Sequence, residues 1–203
     1  MNIMKSARIN MLLAALSGLL LTGAFPKIGL DWLAWFALVP LLLAIANLSA
    51  KQSFRIGFIA GLVHYLSLLY WVVPVMRTYG YLPLYLSIVI LFLFAAVLAF
   101  FPAIFSMALA AGGISPLRCL ITMPLLWVAL EYIRTFIFTG FPWALLGHSL
   151  YLRHHLIQIA DLFGVYGLSY LIVLCNTAFA ESLHAFWRKL PWYVPLKTVM
   201  IAL

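Results

Sequence analysis

At 203 residues, 67% hydrophobic and 8% charged with a mean hydropathy of +1.15, the chain is far more apolar than a soluble domain, which is about half apolar and a quarter charged. Its 12 basic and 4 acidic residues give a net charge of +8, spread too thinly for the clustered patch that nucleic-acid binding needs. The composition excludes a soluble globular domain and a nucleic-acid-binding protein, and it points to an all-α, polytopic membrane protein.

A bilayer-crossing helix needs about 20 apolar residues. Apolar runs of that kind extend over about 9–25, 32–50, 56–76, 81–113, 119–139 and 163–186, which predicts a bundle of six transmembrane helices. The first follows Lys5 and Arg8 and resembles a secretory signal. Its apolar stretch exceeds a signal core and no small-x-small cleavage site follows, so an uncleaved helix is expected. The fourth run carries Pro83 and Pro102 and is long enough to tilt, or to kink at Pro102. Between the fifth and sixth runs, residues 143–162 are too interrupted to span. Leu145, Leu152, Leu156, Ile159 and Phe163 nevertheless recur on one helical face, with His154, Gln158 and Asp161 opposite, which predicts an interfacial helix lying on the outer membrane surface. After Pro191 and Pro195, residues from 197 onward read as a seventh helix cut short.

Lys5, Arg8, Lys51, Arg55, Arg118, Arg188, Lys189 and Lys197 fall on one side of this arrangement, and Lys27, Arg77, Arg134 and Arg153 toward the other. The positive-inside rule then places the N-terminus in the cytoplasm and residues 143–162 on the outer side.

Charge at depth marks function in such a chain, because an unpaired charge in hydrocarbon costs several kcal/mol. Glu131 and Arg134 sit in the outer half of the fifth run, three residues apart on one helix face, where they can neutralise each other. The run then breaks at Gly140-Phe141-Pro142-Trp143, with Gly and Pro to end a helix and two aromatics suited to the headgroup level. Such a turn serves either as an interfacial anchor or as the border of an opening for lipid. Cys119 and Cys175 lie in no CxxC motif, and His154 and His155 diverge by about 100° on a helix, so neither a metal site nor a cofactor is indicated.

The residues also carry a family pattern. Phe25-Pro26, Trp32-Leu33-Ala34-Trp35, Pro40-Leu41, Gly57-Phe58 with Gly61, and Tyr70-Trp71-Val72 form its first part. Glu131, Arg134, Thr139-Gly140-Phe141-Pro142-Trp143 with Gly147 and Ser149, and Gly164-Val165-Tyr166-Gly167-Leu168-Ser169 with Asn176 form its more specific part. On these residues the chain resembles the N-terminal membrane domain of bacterial apolipoprotein N-acyltransferases. Pro26-Lys27-Ile28-Gly29 departs from the commoner double-proline turn, and His148 stands where a Tyr often precedes Ser149.

The resemblance implies a multi-pass protein of the bacterial inner membrane whose partners are a phospholipid acyl donor, a diacylglyceryl apolipoprotein and membrane lipids. It also implies that catalysis resides in a nitrilase-like periplasmic domain carrying a Glu-Lys-Cys triad. No residue here is expected to be catalytic, and the chain is expected to be the membrane part of a longer protein, inactive by itself. Glu131, Arg134, Phe141, Pro142, Trp143 and His148 are the candidates for substrate access. A stand-alone lipid-binding scaffold and a small transporter are the alternatives, although no pair of matching interrupted helices suggests a transporter's inverted repeat.

Overall fold

A computed structural model describes residues 6–112, 116–137 and 140–187, the side chains of 116–118 apart. The chain folds into α1 (Ala7–Gly23), a 3-10 helix at Asp31–Trp35, α2 (Val39–Ile45), α3 (Ala50–Leu68), α4 (Val72–Thr78) and α5 (Leu84–Gly112). There follow α6 (Pro116–Phe136), a second 3-10 helix at Leu146–Leu150, α7 (His154–Ile157) and α8 (Ala160–Trp187). Among the described residues none lies in a β-strand. The expected seventh helix lies outside them.

The helical segments follow the apolar runs of the sequence, but not as six regular spans. Leu84–Gly112, Cys119–Phe136 and Ala160–Trp187 are long and apolar enough to cross a bilayer, and α3 with α4 makes a fourth if the bent pair is one span. Ala7–Gly23 and Asp31–Ile45 are shorter.

Prolines explain two of the breaks. A proline ring clashes with the carbonyl four residues earlier and lacks an N–H, so a helix cannot run through it undisturbed. Pro40, in the first turn of α2, sits where the run expected over 32–50 divides. Pro74 lies in α4 just beyond the 47° bend between α3 and α4. α5 by contrast carries Pro102 within one helix.

The break before α2 leaves backbone groups to be satisfied at depth, and distant side chains supply them. Asn176 on α8 accepts from the Leu38 N–H at 2.8 Å and donates to the Ala34 carbonyl at 2.8 Å, while the Ser17 hydroxyl donates to the Ala37 carbonyl at 2.6 Å. Both side chains are fully buried.

α3 packs most extensively on α5, α1 packs on α3, and α6 pairs with α8. Small residues allow the close approaches, as expected where lipid removes the hydrophobic drive for helix association. A Cβ on Gly57 would come within 2.5 Å of the Pro102 carbonyl oxygen, and one on Gly61 within 2.9 Å of the Ala99 Cα. Gly18 of α1 lies as tightly against the Ala60 carbonyl.

The interfacial segment departs most from expectation. In place of one helix over 143–162, the chain makes the 3-10 turn, the four-residue α7 and the first turn of α8, which kinks into its main body at Gly164 with φ 64° and ψ −174°, a conformation open essentially to glycine alone. The reason lies in packing. Leu145, Leu146 and Leu150 turn into the core, whereas Leu152 and Phe163 of the expected apolar stripe face outward.

Candidate functional site

Helix α6 ends beside the turn that the sequence singles out. Gly140 stands at φ 77° with its N–H on the Ile137 carbonyl at 2.9 Å, and the Phe141 N–H reaches back to the Arg134 carbonyl at 3.0 Å. These bonds fold residues 140–144 back over the last turn of α6.

Glu131 and Arg134 are both buried, at 4% and 3% exposure, yet their charged groups do not meet. Each is held by other partners, which corrects the expected direct pairing along the helix. Among the described residues the salt bridge that forms joins Arg153 to Asp31. Glu131 turns toward the 3-10 helix at 146–150, where its Oε1 accepts the Leu146 N–H at 2.7 Å. The next N–H, of Gly147, goes to the Ser169 hydroxyl on α8 at 2.9 Å. Arg134 turns toward α3 and the turn. One terminal nitrogen donates to the Tyr65 hydroxyl, and the other to the carbonyls of Ala144 at 3.0 Å and Trp143 at 3.4 Å. Its guanidinium lies 5.6 Å from the Tyr65 ring centre and 5.9 Å from that of Phe141.

The side chains of the turn complete a groove. Phe141 meets Phe94 of α5 edge to face at 5.2 Å, and Trp143 lies 6.2 Å from Trp71. Between α5 and the turn is a mainly apolar cavity of about 400 Å³, lined by Phe94, Val97 and Phe101 on one side and by Ile137, Phe141, Pro142 and Trp143 on the other, with Arg134 in its wall. Trp143 is 59% exposed and stands at its rim.

Of the six residues proposed from sequence, Arg134, Phe141, Pro142 and Trp143 converge on this groove, while Glu131 lies behind Arg134. His148 is exposed on the 3-10 helix and does not line the groove. Desolvation first, and the Arg134 charge second, hold its imidazole below the ordinary value. Tyr65, Phe94 and Phe101 went unrecognised, since an aromatic in an apolar run carries no mark of the partner it will meet. Cys119 and Cys175, which form no disulfide, lie away from the groove, buried and half-buried.

The Arg153–Asp31 bridge ties the loop after the second 3-10 helix to the start of the first, with Arg153 Nη2 at 2.8 Å from Asp31 Oδ1. Nothing in the sequence pattern signals this pairing, since the two residues lie 122 positions apart.

A family model described as the apolipoprotein N-acyltransferase N-terminal domain matches residues 17–178. Three similar proteins carry the name apolipoprotein N-acyltransferase or a numbered form of it. The protein of Geobacter metallireducens is 44% identical over 97% of this chain and 38% of its own length. That of Methylococcus capsulatus is 35% identical over 81% of this chain and 33% of its own, and that of Treponema denticola 26% over 89% and 32%. The 203 residues thus span about a third of the length of these relatives. With a family model covering most of its length, the chain belongs to the apolipoprotein N-acyltransferase N-terminal domain family.

Proposed function

We propose that these residues are the membrane platform of an apolipoprotein N-acyltransferase, and that the groove between α5 and the Phe141-Pro142-Trp143 turn admits a lipid substrate to it. The observation that carries this reading is the groove itself: about 400 Å³ of mainly apolar space beside a helix end, rimmed by an exposed Trp and walled on one side by a buried Arg. Aromatic rings at such a rim can pack on acyl chains while their polar edges stay hydrated.

The family resemblance supplies the reaction for the whole protein. A thiolate on the nitrilase-like domain attacks the acyl ester of a phospholipid, expelling a lysophospholipid and leaving a thioester. The α-amino group of a diacylglyceryl-cysteine then attacks the thioester and expels the thiolate, the two-step logic of nucleophilic catalysis. The platform's part is to bring both amphiphilic substrates to the outer membrane face.

The proposed topology has the N-terminus in the cytoplasm of the bacterial cell and six passages through the inner membrane. The second passage is broken before α2, the third is bent between α3 and α4, and residues 143–162 lie on the periplasmic side. Basic residues are denser on the opposite side, which supports this orientation.

The test is Trp143→Ala in the full-length enzyme context. Acyl transfer per folded molecule should fall at least tenfold, with expression and membrane insertion unchanged. Activity lost only in proportion to lost folded protein would make the turn an anchor and not an access rim.

A further inference from the structure

Beside Arg134, three polar atoms are shielded from solvent and make no hydrogen bond of ordinary geometry, namely the indole Nε1 of Trp127, Oε2 of Glu131 and Nε of Arg134, although Trp127 and Ser169 lie close enough to the Glu131 carboxylate to interact with it. The three residues follow one another on α6 at spacings of four and three, so they share a helix face. All three line one cavity of about 20 Å³, together with Tyr65, Phe101, Pro102 and Leu130. A buried polar group left unmet forfeits its hydration with nothing in return. Three around one cavity call for a single occupant that serves them together.

The chemistry of the three atoms selects that occupant. Two are N–H donors and one is an acceptor. A cation would face the guanidinium and the indole N–H, and an anion would face the carboxylate. An apolar occupant would leave all three unmet. A water molecule brings two lone pairs and two protons, and it needs about 10–15 Å³ of cavity and two to four polar partners. We propose that one buried water occupies this cavity, accepting from Trp127 Nε1–H and Arg134 Nε–H and donating to Glu131 Oε2.

The water makes Trp127 a positioning residue. Arg134 already spends its terminal nitrogens on Tyr65 and on the Trp143 and Ala144 carbonyls. The water holds the remaining edge of the guanidinium and links it to the carboxylate that the direct geometry leaves apart. Trp127 is fixed on its other side by an edge-to-face contact with Phe105 at 5.0 Å. The inference stands on this geometry and is independent of whether the groove admits lipid.

The experiment uses the protein in lipid nanodiscs with ¹⁵N-labelled tryptophan and arginine. Among the indole signals of its seven tryptophans, the one missing in Trp127→Phe identifies Trp127. In the unmodified protein that indole proton should show cross-relaxation to water of the sign given by a water bound for longer than a few nanoseconds. In Trp127→Phe, which keeps a ring against Phe105, the Arg134 Nε proton should exchange with solvent at least tenfold faster while the unfolding temperature changes little. A Trp127 indole without such a water signal would overturn the proposal and indicate a direct bond from Trp127 or Ser169 to Glu131. So would an Arg134 Nε exchange rate unchanged in Trp127→Phe.

Discussion

Arg134 joins three parts of the chain that are distant in sequence: its own helix, Tyr65 on α3, and the backbone of the turn at 143–144. Truncating such a residue strands buried acceptors and leaves Glu131 as a charge with reduced compensation, typically at a cost of about 3–5 kcal/mol. Arg134→Gln and Glu131→Gln should therefore each lower the folded fraction. The double variant should lose less than the sum by about 0.5–3 kcal/mol, because each single change exposes the other charge; denaturant titration in detergent measures the three values, and strict additivity would show the two groups to be independent. Asp31 makes a pH-dependent contribution. The hydrogen bond from Arg153, more than its charge, holds the Asp31 carboxyl below the ordinary 3.8. A lowered carboxyl stabilises the fold above its unfolded value and loses that contribution as pH falls through the folded one. Stability followed from about pH 5 down to pH 3 should fall less steeply in Asp31→Asn than in the parent. At this scale the sequence reveals the charges but not their partners: Glu131 and Arg134 are visible because charge is rare in an apolar run, whereas the Leu146 N–H and Tyr65 that hold them look like any other residue.

Helix breaks and close approaches set the arrangement of the elements. Gly164 joins the start of α8 to its main body in a conformation that a Cβ opposes, so Gly164→Ala should destabilise the fold by about 1–3 kcal/mol. A thermal scan that found the variant as stable as the parent would show that the chain can bypass the kink. Gly57 lies against the Pro102 backbone, and Gly57→Val should wedge α3 from α5 at a cost of about 1–3 kcal/mol or more. Crosslinking yield between cysteines placed across α3 and α5 should fall with it. The places of the apolar segments were legible because apolar length is a strong signal, but the breaks beside Pro40 and Pro74 were not, since a proline in an apolar run can also be carried within one helix, as Pro102 is in α5. The segment after Trp143 was misjudged for a physical reason. A 3.6-residue stripe can be read from Leu145 to Phe163, but Gly147 lets the backbone sink against Val165 and Leu168, and a 3-10 turn buries Leu146 and Leu150 more fully than a continuous helix on the surface would.

For the whole molecule the testable quantity is which side of the membrane each connection faces. A cysteine placed at Gln52 should be shielded from an impermeant thiol reagent in intact cells, while one at His154 should be labelled; the reverse pattern would invert the proposed orientation. The groove itself could be anticipated only by half. The turn that forms one wall is punctuated in the sequence, whereas the wall from α5 is built from Phe94, Val97 and Phe101, indistinguishable there from lipid-facing neighbours. Asn176 adds a consequence in time. The Leu38 N–H receives its partner from a residue 138 positions later in the chain. At about 5–20 residues per second of synthesis, roughly 7–30 s separate the two. During that interval the break before α2 has only water, lipid headgroups or a helper protein to satisfy its exposed amide, so the second segment is an early arrival that sets late. Asn176→Leu would make that waiting state permanent, and pulse-labelled chains carrying it should stay sensitive to membrane proteases long after parental chains have become resistant.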